Sequence, residues 1–279
     1  DRSSAASDVY KRQEPYGWYR VRQIHSLSVA TYAPSTYSRD QLVSHGVPRV
    51  GIWGRGVDKQ RFHPSKRSEE LRAQWAPNGE VVVGYMGRLA AEKRVQDMAV
   101  LADIPGVKLV IVGHGPDRDQ LEKQIPGAIF TGGLGGEDLP RAVASMDVFC
   151  STGELETFCQ AVQEAKACGV PVISPRRGGP IDLIDPSRTG WLYEPGNMDE
   201  FRSYVVDLVG DGYKRRAMGT AARASIEDRT WEHLCAELVG HYEEAIRIGS
   251  VAAPARHRLL SAATHHSRRN GHSISLLHR

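Results

Sequence analysis

The sequence predicts an α/β chain built on a doubly wound parallel sheet, and two observations carry this. Between Glu80 and Ser174 five short apolar runs recur: VVVGYMG (Val81–Gly87), KLVIVG (Lys108–Gly113), IFTGG (Ile129–Gly133), VFCS (Val148–Ser151) and VPVIS (Val170–Ser174). Strands that are apolar throughout, rather than at alternate positions, are covered on both faces, as parallel sheets are. The stretches between them, Val95–Ala102, Pro116–Gln124, Asp138–Ser145 and Phe158–Cys168, are amphipathic and suit the crossover helices that parallel strands need.

The other elements follow in chain order. Residues 1–13 (DRSSAASDVYKRQ) lack apolar periodicity and read as an assembly scar, set aside from the fold. Ile24 to Gly46 reads as a strand and then a helix, with Pro34 and Ser35 as turn and cap and Gly46 as the stop. Val50–Trp53 is a further apolar run. GRGVD (Gly54–Asp58) then supplies a flexible joint and a domain boundary. The sheet domain spans 55–230 and closes with a short strand in TGWLYEPG (Thr189–Gly196) and helices over Met198–Leu208 and Tyr213–Ile226. A final helix covers 231–248, and 249–279 reads as a disordered basic tail.

Composition narrows the function classes. The 279 residues are 41% hydrophobic and 25% charged, as in ordinary globular proteins. The 36 basic and 33 acidic residues leave +3, yet the last thirty residues hold five arginines and no acid, so the body carries −2. That balance argues against a nucleic-acid binder. No run approaches the ~20 apolar residues of a membrane helix. Four cysteines without a Cys-x-x-Cys pair suit a reduced, cytoplasmic setting.

Ligands of open α/β sheets bind at the carboxyl ends of the strands, so the strand-to-helix turns hold the candidate chemistry. In GRLAAEK, Gly87 lets the backbone approach a ligand, and Arg88 and Lys93 offer two cations suited to a diphosphate. GHGPDRDQL lacks the third glycine of a dinucleotide fingerprint, and His114 reads as a loop filler. STGELETFCQAVQEAKACGVPVIS carries most: a helix from about Thr157 to Cys168, with Glu156 and Glu164 eight residues apart. Eight helical steps span ~12 Å. A glycosidase pair would lie roughly 5–9.5 Å apart. An elongated ligand with hydroxyls at both ends and an anion between fits instead: a nucleoside diphosphate sugar, its anion on the free amides of Thr157–Gln160. Two merely solvated glutamates are the rival reading, and the cations on the neighbouring turn favour the ligand. Cys159 lacks a partner histidine for nucleophilic work, Cys150 and Cys168 read as buried, Trp231 as packing, and His265 and His266 as solvated tail residues.

GRLAAEK, the Glu-x7-Glu spacing within ELETFCQAVQEAKACGVPVIS, GGPIDLI and TGWLYEPG together resemble the retaining glycosyltransferases of family four, over about Ala30 to Ile246. ETFCQAVQEA followed by GGPIDLI most resembles the actinobacterial GDP-mannose-dependent α-mannosyltransferases that act on glycolipids. The resemblance implies a GT-B fold whose Rossmann-like C-terminal domain binds the donor, with residues 14–54 the last strand and helix of an N-terminal acceptor domain. It implies Arg88 and Lys93 on the diphosphate, Glu156 on the donor sugar and Glu164 on the ribose. The amides of Thr157, Phe158, Cys159 and Gln160 would line phosphate and sugar, with the base near Gly133 and Leu134 and Gly87 among the donor-binding residues.

Arg88, Lys93 and Glu156 form the implied catalytic set. The family's glycine-rich loop and active-site histidine have no counterpart here, and neither His25 nor His45 falls on that motif. The family also implies retention without a metal or cofactor, the departing phosphate taking the acceptor's proton and Glu156 orienting the sugar. Its partners would be a nucleotide-sugar donor and a lipid or glycan acceptor, with peripheral contact at the inner face of the plasma membrane and no nucleic acid. The rivals are a nucleotide-sugar-binding module without catalysis, a UDP-sugar-dependent enzyme, and a phosphorylase or hydrolase of similar fold.

Overall fold

The computed structural model describes residues 15–249. The scar expected at 1–13 and the basic tail with His265 and His266 lie outside the described residues. Six parallel strands form the main sheet: β3 (Val81–Met86), β4 (Val107–Val112), β5 (Ile129–Gly132), β6 (Val148–Cys150), β7 (Val172–Pro175) and β8 (Gly190–Tyr193). They follow the small sheet formed by β1 (Thr31–Ala33) and β2 (Val50–Ile52). The spatial order is β5-β4-β3-β6-β7-β8, every pair parallel. The order reverses between β3 and β6, which makes their carboxyl ends the switch-point crevice where such sheets bind ligands.

The expected two-sided burial is present. Val82, Val110, Val112, Phe149 and Val172 pack in one core, while Val83, Leu109, Ile111, Val148 and Ile173 pack in another. Alternate residues of each strand thus feed opposite layers, as the pleat requires. Phe149 and Ile173 are fully enclosed. The layers are α4 (Arg118–Gln124), α5 (Asp138–Ala144), α6 (Gln160–Ala167), α7 (Met198–Gly210) and α8 (Gly212–Ala224), preceded by α1 (residues 15–26), α2 (Thr36–Ser44) and α3 (Glu69–Trp75). The last helix, α9, spans residues 231–249.

Four features differ from what the sequence predicts or add to it. Residues 15–26 are helical, so Ile24 lies in the last turn of a helix and the strand starts only at Thr31. The helix α3, capped by Ser68 through the Leu71 amide, falls in a stretch where only its cap and the Glu69 and Glu70 dipole partners signal it. Val95–Leu101 is a 3-10 helix rather than an α-helix. Its buried residues, Val95, Met98 and Leu101, recur every third position, which is the 3-10 period. The fourth is α6, which begins at Gln160 and not at Thr157. Cys159 stands in the left-handed region at φ 70°, and the preceding loop is pressed against Gly178 and Gly179. The Gly179 amide donates to the Glu156 carbonyl at 2.7 Å, and a Cβ on Gly178 would overlap that same carbonyl. Glycines there let the loop after β7 hold residues 156–158 out of the helix.

The helix α9 returns to the small sheet. The Trp53 indole donates to the Leu234 carbonyl at 2.8 Å, and Tyr32 stacks on His241 with ring centroids 4.2 Å apart. Val239, Tyr242 and Ile246 on this helix remain exposed.

Candidate functional site

Three loops converge at the carboxyl ends of β3, β6 and β7. The first leaves β3 at Gly87 and reaches Lys93 in a 3-10 turn, Ala91–Lys93. The second leaves β6 at Ser151 and runs to Cys159. Lys93 Nζ lies 2.7 Å from Glu156 Oε1, and both side chains are largely covered. The Thr152 hydroxyl donates to the Lys93 carbonyl at 2.7 Å. Glu154 stands 3.4 Å from Arg94 and 3.3 Å from Arg177, so its carboxylate joins the first loop to the third. Arg94 is itself left-handed at φ 51° and bound to Asp97. The turn carrying Lys93 is therefore fixed by side chains of the loop that it faces.

The sequence-derived residues fall into two cavities and one ion pair. Gly87, Arg88, Gly133 and Leu134 line a cavity of about 310 Å³ with His114, Met86, Val112, Gly113 and Leu139. Glu156, Thr157, Phe158, Cys159, Gln160 and Glu164 line a second, of about 450 Å³. Arg88 is mostly exposed and pairs with Glu92 at 3.5 Å, so it does not converge with Lys93 on one point. The 12 Å helical separation of the two glutamates does not apply, because Glu156 precedes the helix; both nonetheless face the second cavity. The amides of Thr157, Phe158, Cys159 and Gln160 donate to no carbonyl or side chain among the described residues, which leaves them open to an anion.

Several lining residues carried no signal recognised in the sequence. Arg55, Asp58, Arg61 and Phe62 of the linker and Trp231 at the start of α9 complete the second cavity. Asp58 caps the turn that presents Arg61, accepting from its amide at 2.9 Å, and Arg61 Nη2 donates to the Gly136 carbonyl at 3.1 Å. The linker is thus packed, not a free joint: Gln160 Nε2 donates to the Gly56 carbonyl at 3.0 Å and Gln163 Nε2 to the Arg55 carbonyl at 2.8 Å. A Cβ on Gly56 would overlap Trp231, so the glycine allows the close approach. Asp58, directly before the turn at 59–61, was the available clue. His114 also sits on the first cavity wall, against Gly133.

Burial sets the titration of the site. Desolvation pushes the Glu164 carboxyl up to about 7, against a smaller opposing pull from Arg61. The thiol of Cys159 is pushed up to about 12, chiefly by burial, and is no nucleophile at neutral pH. For Glu164 the sign is fixed by proton count. Between its ordinary value of 4.5 and about 7 the folded chain holds a proton that the unfolded chain has released. Stability therefore falls as pH rises through that window, by at most about 3 kcal/mol. We expect E164Q to melt with the parent at pH 4.5 and above it at pH 8. A constant difference across that range would remove the assignment. Among the described residues no three His, Cys, Asp or Glu cluster as metal ligands, and no helix is long and apolar enough to cross a membrane.

Residues 67–225 match the family model of glycosyl transferases group 1. A GDP-mannose-dependent alpha-mannosyltransferase of Mycolicibacterium smegmatis is 47% identical over 88% of this chain and 68% of its own length. The protein of the same name from Mycobacterium tuberculosis is 50% identical over 81% of this chain and 59% of its own. The chain thus spans about three fifths to two thirds of these relatives. Among solved structures, Anabaena HepE in complex with UDP and glucose superposes with a TM-score of 0.75 at 22% identity, over 82% of this chain and 67% of that one. This likeness shows a shared fold.

Proposed function

The chain belongs to the glycosyl transferases group 1 family, and from that premise we propose that it carries the donor half of a GDP-mannose-dependent α-mannosyltransferase. The Lys93–Glu156 pair at the β3–β6 switch point is the observation that carries this reading. A cation for phosphate and a carboxylate for sugar hydroxyls stand in contact, beside unpaired amides. The diphosphate would lie between Lys93 and the amides of Thr157–Gln160, with Arg88 at its outer side. The sugar would hydrogen-bond Glu156, the ribose Glu164, and the guanine would enter the cavity at Gly87, Gly133 and Leu134. GDP-mannose is preferred over a UDP-sugar on the names of the two actinobacterial relatives above.

Transfer would proceed with retention and without a metal. As the sugar–phosphate bond lengthens, charge grows on the diphosphate, and fixed donors aimed there stabilise the transition state more than the ground state. The leaving phosphate would take the acceptor's proton. Glu156 already holds Lys93 and would orient the sugar rather than attack it. The acceptor would be a lipid or glycan presented at the inner face of the plasma membrane, reached by peripheral contact. A mycobacterial relative at 31% identity is named for a phosphatidylinositol mannoside acceptor.

The test is a chimera carrying the N-terminal segment of the Mycolicibacterium smegmatis relative ahead of this chain. It should move labelled mannose from GDP-mannose to a membrane lipid extract. Transfer from UDP-glucose and none from GDP-mannose would overturn the donor assignment.

A further inference from the structure

At the end of the sheet opposite the donor loops, a cavity of about 410 Å³ is lined by Arg67, Arg72, Arg215 and Arg216 and by a single carboxylate, Asp147. Asp147 immediately precedes β6, and the lining residues Gly169 to Pro171 immediately precede β7. The cavity thus lies at the amino ends of the strands, away from Lys93 and Glu156.

Its charges do not balance. Both oxygens of Asp147 are engaged: Oδ1 accepts from Arg67 Nη2 at 3.0 Å, and Oδ2 from Arg72 Nη1 at 2.6 Å and the Val82 amide at 2.8 Å. Further donors of these two arginines go to carbonyls at the end of α5, Ala144, Ser145 and Met146. Arg215 Nη1 caps the end of α7 through the carbonyls of Leu208 at 2.6 Å and Val209 at 3.3 Å. Glu69, 3.4 Å from Arg67, is mostly exposed and outside the cavity, where an ion pair counts for little. Each helix end contributes about half a negative charge. Four guanidinium groups against one carboxylate and two helix ends thus leave about two positive charges. No ion pair or hydrogen bond engages the Arg216 guanidinium among the described residues. Burial, reinforced by Arg216, Arg72 and Arg67, lowers the pKa of Arg215 even though Asp147 opposes it.

We propose that this cavity binds a phosphate-type oxyanion, held by Arg215 and Arg216 against the wall formed by Arg67 and Arg72. A phosphate dianion matches the surplus in charge, and planar guanidinium forks match its oxygens. Soluble phosphate esters and the headgroup of an acidic phospholipid share this chemistry.

The test is thermal melting of the 279-residue chain in the K93A background, which disarms the donor crevice. Chloride is replaced stepwise by inorganic phosphate at constant ionic strength. The expected result is a saturable rise in Tm, with R216E needing at least tenfold more phosphate for the same rise. Because Arg216 is exposed and caps nothing, R216A serves as a second variant that retains the fold and should show a smaller shift in the same direction. Co-sedimentation with vesicles containing phosphatidic acid, whose headgroup is a phosphate monoester, that phosphate competes away would assign the headgroup; phosphate binding without sedimentation would assign the soluble form. Equal phosphate responses in the parent, R216A and R216E would overturn the proposal.

Discussion

K93A, placed in the chimeric enzyme, should lower mannosyl transfer by about 10²–10³-fold, the loss typical of removing one fixed donor from a developing oxyanion. Lys93 cannot be replaced by its neighbour. Arg88 is mostly exposed and held toward Glu92, while Lys93 is largely covered and anchored by Thr152 through its carbonyl. The loss should appear in binding as well, because the ammonium also meets the diphosphate in the ground state, though less strongly than in the transition state. GDP and GDP-mannose should both bind more weakly. K93A also strands a carboxylate that is only 15% exposed, so the variant should melt below the parent, and K93A/E156Q should recover part of that loss. Transfer within threefold of the parent, measured as initial rate at saturating donor, would remove Lys93 from the chemistry.

E156Q has the second large effect, and its signature is different. Transfer should fall about 10²-fold as the sugar loses its orienting carboxylate. GDP, which lacks the transferred hexose, should bind more tightly than to the parent. In the empty site Glu156 neutralises Lys93 at 2.7 Å, and a diphosphate must share that cation with a carboxylate. Removing the negative charge frees the ammonium and removes a repulsion. GDP-mannose should then lose its advantage over GDP. A parallel fall in affinity for both ligands, read by calorimetry, would make Glu156 a structural support for Lys93 and not a sugar ligand.

The sheet was legible because burial on both faces writes itself into every strand residue. The runs at Val81, Lys108, Ile129 and Val148 are apolar for that reason alone, and each became a strand. The cations of GRLAAEK and the Glu-x7-Glu spacing were legible as composition at strand ends. Their mutual geometry was not. The helix start at Gln160 depends on Gly178 and Gly179, some twenty residues downstream, and no local propensity records that contact. The same holds for Trp231, which reaches the cavity because α9 packs against Gly56 of the linker, and for Arg61, which is held by Asp58 and the Gly136 carbonyl. A 3-10 helix at Val95–Leu101 was readable from its period of three, which is easily taken for the helical 3.6 over seven residues. The basic balance of the composition also conceals the site: its functional charge is a contacting Lys–Glu pair in a body whose net charge is −2.

GDP titrated calorimetrically into this chain at neutral pH tests the donor-site reading most directly. One-site binding, displaced by GDP-mannose and weakened at least tenfold by K93A, is the expected result. No heat of binding with either ligand, or GDP binding that K93A leaves unchanged, would contradict it.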